Sequence, residues 1–372
     1  MLVFAASVVI MTPATVETVA RMRLVAHGLI EPLPTPLDAA RHLTCAQGQD
    51  LPGALTSLAL RTTGRSLDEV RAAFDAGHLV RTWPMRGTLF VVPAEDAGWV
   101  RELTAAKVLQ STERRRAELG LDAATIDRAE AVARERLAGA VVGDPASGLV
   151  RAELLEAWQE ARLATDAGRG YHLLFHLALR GVLVQGPMAG KEQRFVLAEE
   201  WVTAPRTLER EEAVRELLRR YVAARGPVPV EDFCWWSKLT KAEARAALAD
   251  LCGELTSIEV EGRTHWMAPG LPDRYAECQR STATPLLLPG FDEVVLGYGD
   301  RAAVLTSQEE QLVVPGKNGM FKGTVLHKGH AVGTWRRPTR TGAPVAVEPF
   351  SPRGLPAPVE NALPRLTASL PA

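Results

Sequence analysis

Long apolar runs are missing from this chain. The opening MLVFAASVVIM is an apolar stretch of eleven residues with no basic segment before it, too short to span a bilayer and a poor secretory signal. Initiation at Met11, with residues 1–10 as extra sequence, is the preferred reading, because TPATVETVARMRLVAHGL then reads as a capped amphipathic helix. Cysteine is scarce as well. Cys45, Cys234, Cys252 and Cys278 are scattered without CxxC or Cys/His ligand spacing, which argues against a disulfide frame and a zinc site and for reduced thiols in the cytoplasm. No charge of one sign dominates: a formal net charge of −1 gives no global sign of a polyanion partner, so any nucleic-acid surface must be local. A GxGxxG after a strand, a P-loop and a GxSxG are all absent, so nucleotide-cofactor and serine-hydrolase readings lack support and no cofactor is implied.

What is present is enough chain for two or more domains and a sizeable core, at 372 residues, 47% hydrophobic and 23% charged. A loose repeat runs through it. Residues 70–93, 172–201 and 242–269 each place a helical pattern before a glycine-marked turn and two alternating strand-like runs. Helices followed by a β-hairpin is the order of a winged helix, and DFCWWSKLTKAEARAALADL imitates a helix-turn-helix with Thr240 as a cap. From about residue 284 short strand-like runs with Gly and Pro turns suggest a small β-barrel or sheet, followed by a Pro- and Ala-rich tail. The expected fold is therefore α+β. Its boundaries are an extra segment 1–10, winged helices 11–110, 111–204 and 205–270, a β domain 271–352 and a tail 353–372.

Several residue groups could carry chemistry. In HLTCAQGQDLPGALTSLALR, Gln47 and Gln49 share a face only if the backbone between them is extended, since i and i+2 diverge on a helix. Pro52 then fits the first turn of a following helix, with Asp50 nearby as a cap. The two amides are either solvated loop residues or a cooperating pair. HLLFH puts His172 and His176 at helical metal-ligand spacing, but Leu173 stands where a zinc protease needs glutamate and no third ligand is indicated, so we read no metal site. RTWPMRGTLFVV carries Arg81, Trp83 and Arg86 around a predicted hairpin tip, suited to DNA contact or, for Trp83, to plugging a gap. GFDEVVLGYGDR clusters Asp292, Glu293, Tyr298, Asp300 and Arg301, either as a structural ion network or as the lining of a cleft. Between Arg301 and Arg353 eight Lys or Arg stand against three acids, a solvated basic face or a phosphate-binding surface.

Four of these motifs, CAQGQD, TWPMRGTLFVVPAEDA, LLLPGFDEVVLGYGDR and NGMFKGTVLHKGHAVGTWR, occur in register across most of the chain from Met11 to about Arg337. Together they resemble the winged-helix DNA glycosylase family typified by AlkZ, an azinomycin-resistance enzyme, and YcaQ. The resemblance implies three tandem winged helices and a C-terminal β-barrel in a C-shaped scaffold around DNA. It implies a glutamine-apolar-glutamine motif in the active cleft, here Gln47 and Gln49, with aspartate at the second position in the YcaQ branch. Gly48 replaces the usual apolar middle residue, and Phe90 stands where the family favours histidine. The implied function is a monofunctional DNA glycosylase, a hydrolase acting on N7-alkylpurines, bulky or interstrand-crosslinked lesions included, in DNA repair or genotoxin self-resistance. Its partner would be double-stranded DNA containing alkylated bases, with no membrane, and the protein a monomer. DNA-contact candidates are Arg61, Arg81, Trp83, Arg86, Lys322, Arg336 and Arg337, and both glutamines are expected to be accessible in a positively lined cleft. The rival classes are a non-catalytic winged-helix regulator and a DNA-shielding or toxin-binding protein.

Overall fold

The computed structural model describes residues 14–317, 319–337 and 343–371; the segment 1–10, the start at Met11 and Arg340 of the basic stretch lie outside them. The chain divides into two compact units, one of the residues up to Leu67 together with those from Val214 onward, the other of Asp68–Ala213. No helix among the described residues is long and apolar enough to cross a membrane.

The first unit begins with helices whose starts are written in the sequence. Thr15 caps Val16–Ala26 by accepting the Thr18 N–H, and Thr35 caps Pro36–Leu43, with proline in its first turn. Thr44, at φ +63°, then turns the chain into the two-residue strand β1, Ala46–Gln47. The helix Leu51–Leu60 follows, with Pro52 in its first turn; Asp50 takes the N-cap position but makes no side-chain cap hydrogen bond.

The second unit holds β2 (Leu79–Met85), β3 (Thr88–Pro93), β4 (Leu183–Ala189) and β5 (Glu192–Leu197). The β2–β3 and β4–β5 hairpins join through the antiparallel pairing of Arg81 with Gln185. Each hairpin follows a helix, Leu67–Asp75 and Arg169–Leu179. Arg86 and Gly87 both have positive φ at the β2–β3 turn, the two-residue turn that matches strand twist and favours glycine at its second position. Trp83, Trp158, Leu173, Leu177 and Leu183 fill the core of this unit, and the fully buried Trp158 satisfies its indole N–H on the Ala129 carbonyl.

Back in the first unit, Lys241–Leu251 carries the expected Thr240 cap, completed as a capping box by Glu243, and leads into the hairpin β6 (Thr256–Val260) and β7 (Arg263–Met267). All three repeat segments thus form a helix followed by an antiparallel hairpin. The C-terminal strands β8 (Leu286–Leu288), β9 (Gly323–His327), β10 (His330–Arg336) and β11 (Ala346–Pro349) make an antiparallel sheet in the order β11-β10-β9-β8. This sheet is open, so the barrel alternative gives way to the sheet: among the described residues β8 and β11 do not pair to close it. The end of the chain forms the helix Ala357–Ala368, whose Val359 and Leu366 bury with Leu287, Val325 and Trp335. The fold is α+β.

Candidate active site

Gln47 and Gln49 lie where an extended segment runs between two helices, the non-helical backbone that their spacing demands. They are not equivalent. Gln47 is only 6% exposed, against the expectation that both amides would be open, whereas Gln49 is exposed. The surroundings of Gln47 are polar: its backbone N–H donates to Glu293 Oε1 at 2.9 Å, and its Oε1 accepts the Gln49 N–H at 2.9 Å. The inner amide is therefore fixed by the backbone of the outer one, and one lone pair of the Gln47 carbonyl is already engaged.

Behind this segment sits a buried charge network. Glu293 Oε2 pairs with Arg225 Nη2 at 2.7 Å, with both side chains essentially inaccessible. Arg225 also donates through Nη1 to the Leu43 carbonyl and through Nη2 to the Cys45 carbonyl, both at 3.0 Å, and its guanidinium lies 4.5 Å over the Trp236 ring. Next to it, Arg61 grips Asp292 in a bidentate pair, with both N–O distances 2.8 Å, and Ser57 donates to the same carboxylate at 2.7 Å. Burial alone would raise the Asp292 pKa, but the Arg61 charge and the hydrogen bonds outweigh it and hold this carboxyl below its ordinary range. Asp292 also caps the helix Glu293–Leu296 by accepting the Val294 N–H. Tyr298 donates its hydroxyl to the Arg225 carbonyl at 2.9 Å, and His27 Nε2 lies 2.8 Å from the Tyr298 hydroxyl oxygen. With that proton committed to Arg225, His27 is the donor, in its Nε2–H tautomer. Burial, with Arg61 and Arg225 adding to it, pushes the His27 pKa well down and keeps the ring neutral.

The structure redistributes the candidates. Arg61 is fully buried and spent on Asp292 and Ser57, so it is a core ion rather than a DNA contact. Trp83, 3% exposed, packs edge-on against Phe175 at 5.8 Å, so it plugs the core and is not at a hairpin tip. Arg81 is half-buried and donates to Gln185 Oε1 at 2.8 Å; Arg86 is half-buried at the β2–β3 turn. Asp292, Glu293 and Tyr298 line no open cleft but form the buried network. Asp300 and Arg301 instead line a groove of about 740 Å³ with Trp235, where Asp300 pairs with Arg263 and Arg301 with Glu310. Lys322 pairs with Glu348 at 3.3 Å, Arg336 is exposed, and Arg337 donates to Thr56 Oγ1 and the Pro371 carbonyl. Phe90 is fully buried. Sequence reasoning missed Arg225, Ser57 and His27: Arg225 ends a charge-patterned helix that reads as a solvated face, and nothing local marks it as buried.

His172 and His176 are packed side chains of the helix Arg169–Leu179, and among the described residues no group of three His, Cys, Asp or Glu could hold a metal ion. Burial, then Arg116 and Arg180, lower the His176 pKa to about 4. Since the unfolded value is about 6.5, the unfolded chain binds more protons between these limits, and stability falls as pH drops through them. His176→Gln should therefore flatten the loss of melting temperature between pH 7 and pH 4.5; an unchanged slope would assign that loss elsewhere.

The comparisons with known proteins bear on this geometry. The family model described as DNA glycosylase AlkZ-like matches residues 40–370. The chain is similar to an interstrand DNA cross-link repair glycosylase from Streptomyces sahachiroi, at 28% identity over 320 residues, covering 81% of this chain and 82% of that one. Its fold is similar to the solved structure of the Streptomyces sahachiroi DNA glycosylase AlkZ, with a TM-score of 0.75, 26% identity and 96% of both chains covered.

Proposed function

The chain belongs to the AlkZ-like DNA glycosylase family and is accordingly a hydrolase of N-glycosyl bonds in DNA, and we propose that it excises N7-alkylpurines with Gln47 and Gln49 as its catalytic residues. Family membership sets aside the non-catalytic regulator and the DNA-shielding reading. The observation that carries the proposal is the coupled pair itself, an inner glutamine held at its backbone N–H by Glu293 and at its side-chain carbonyl by the Gln49 N–H, and an outer glutamine that is exposed.

Alkylation at N7 makes a purine cationic and so a good leaving group, and glycosidic cleavage then needs little help from a general acid. Neutral amides suffice. A glutamine carbonyl accepts a hydrogen bond from water and its NH₂ donates to the sugar or the base edge, holding the water beside an oxocarbenium-like sugar. The water oxygen bonds to C1′ and its proton leaves to solvent. The C1′–N9 electron pair returns to the purine and neutralises its charge. Normal bases, lacking that charge, are poor substrates for such a site. The exposure of Gln49 suits lesions too bulky to be flipped into an enclosed pocket, so DNA crosslinked through guanine N7 is the second substrate class. Incubation of the purified protein with duplex DNA carrying N7-methylguanine should release free base and leave alkali-labile abasic sites, with none from unmodified duplex. Absence of release from N7-alkylated DNA would refute the substrate assignment.

The three helix-plus-hairpin segments support a reading as winged helices 11–110, 111–204 and 205–270 ahead of a β domain 271–352. The free cysteines fit a cytoplasmic protein, and the same reading has it act as a monomer on double-stranded DNA. For DNA contact, the tethering of Arg337 distinguishes it from Arg336. Arg336→Gln should weaken binding across sequences and flatten the slope of log affinity against log salt by about 0.9, one phosphate contact. Arg337→Gln should change thermal stability more than that slope. An unchanged slope in Arg336→Gln would remove this arginine from the DNA surface.

A further inference from the structure

The catalytic amides hang on a segment with little secondary structure of its own, since β1 is two residues long and is entered through Thr44 at positive φ. Something else must set where Gln47 points. Three hydrogen bonds to the segment's backbone come from one ion pair: Arg225 binds the carbonyls of Leu43 and Cys45, and Glu293 Oε1 binds the N–H of Gln47 at 2.9 Å. Glu293 Oε2 closes the ring on Arg225 at 2.7 Å. The ring is itself anchored. Arg225 lies against the neighbouring rings of Tyr221 and Trp236, with guanidinium-to-ring distances of 5.2 and 4.5 Å, and its own carbonyl is held by Tyr298. Glu293 opens the short helix that Asp292 caps.

We infer that the Arg225–Glu293 pair is the positioning device of the active site, a clamp that fixes the backbone at Leu43, Cys45 and Gln47 so that the Gln47 amide meets the Gln49 N–H. Neither residue touches the lesion. Glu293 is 1% exposed and both of its oxygens are engaged, so it is not free to take a proton from water. Its carboxylate acts through Gln47. The sequence gives each partner a different guise, Arg225 ending a charged helix and Glu293 following a helix cap, and the pairing spans 68 residues.

This inference rests on the assignment of Gln47 as catalytic, and its test separates the two. The experiment is a double-mutant cycle with Glu293→Gln and Gln47→Ala, read as the single-turnover rate of N7-methylguanine release with enzyme in excess, alongside DNA affinity. Glu293→Gln should lower the rate about 10- to 100-fold with DNA affinity unchanged, and should lower it less than about 2-fold further in the Gln47→Ala background, because residues acting through one another fail as a unit. Equal fold losses in both backgrounds would overturn the clamp and leave the pair as a general support of the fold. Full activity of Gln47→Ala would instead overturn the catalytic assignment, and the clamp with it. Should Glu293→Gln fail to fold, Glu293→Asp keeps the charge but is one methylene too short to span Gln47 and Arg225, and the same cycle is run with it below its melting midpoint. There too, a rate equal to wild type refutes the clamp.

Discussion

Asp292→Ala should lower the unfolding free energy by about 3–5 kcal/mol, the range seen when one partner of a buried ion pair is removed. The magnitude follows from what stays behind. Arg61 and Asp292 are both fully inaccessible, joined by two hydrogen bonds of 2.8 Å, and Ser57 donates to the same carboxylate. Deleting the carboxylate leaves a guanidinium without its counter-charge in the interior and removes the cap of the helix Glu293–Leu296. Replacing both partners by apolar residues of similar volume, as in Arg61→Met with Asp292→Leu, should recover a large part of the loss, because neither desolvated charge remains. The pH dependence has a definite sign. The folded pKa of Asp292 is depressed, so its stabilisation is present above the unfolded value of about 3.9 and is lost as pH falls through the folded one. Urea unfolding of wild type and Asp292→Ala should therefore differ most at pH 7, and the gap should narrow on acidification below about pH 4. A gap under about 1 kcal/mol at pH 7 would mean that this buried pair contributes no more than an exposed one.

The same pair shows what a sequence does and does not carry. The extended backbone between Gln47 and Gln49 was legible, because the angular spacing of side chains on a helix forbids two cooperating residues at i and i+2, and Pro52 marked the next helix start. The three hairpins were legible from alternation and turn glycines. Arg61 was not: an arginine at a helix C-terminus reads as a solvated cation, and its burial is decided by a carboxylate 231 residues away. Trp83 sits in a strand buried on both faces, so alternation could not say which way it points. Alternation is likewise the same in an open sheet and a closed barrel, which is why the C-terminal strands were compatible with either. The GFDEVVLGYGDR cluster was legible as a group of charges, but its splitting into a buried network at Asp292, Glu293 and Tyr298 and a groove lining at Asp300 and Arg301 depends on tertiary partners.

Gln47→Ala and Gln49→Ala should each slow release of N7-alkylguanine by about 10- to 1000-fold, with little change in DNA affinity or melting temperature. The two losses arise differently. Gln47→Ala removes the carbonyl that accepts the Gln49 N–H, so it cuts the tie between the two residues as well as deleting the inner amide. Gln49→Ala leaves that backbone hydrogen bond in place and deletes only the exposed amide. The double variant should lose less than the product of the single losses, because in the proposed mechanism both amides act on one water. Gln49→Asp installs a carboxylate, as in the YcaQ branch, and should retain activity on cationic adducts while changing the range of lesions accepted. The most direct measurement is the single-turnover rate of base release from N7-methylguanine duplex by the double alanine variant, with enzyme saturating. The catalytic reading predicts a rate at or near that of spontaneous depurination while DNA is still bound; a rate equal to wild type would contradict it and return both glutamines to the loop.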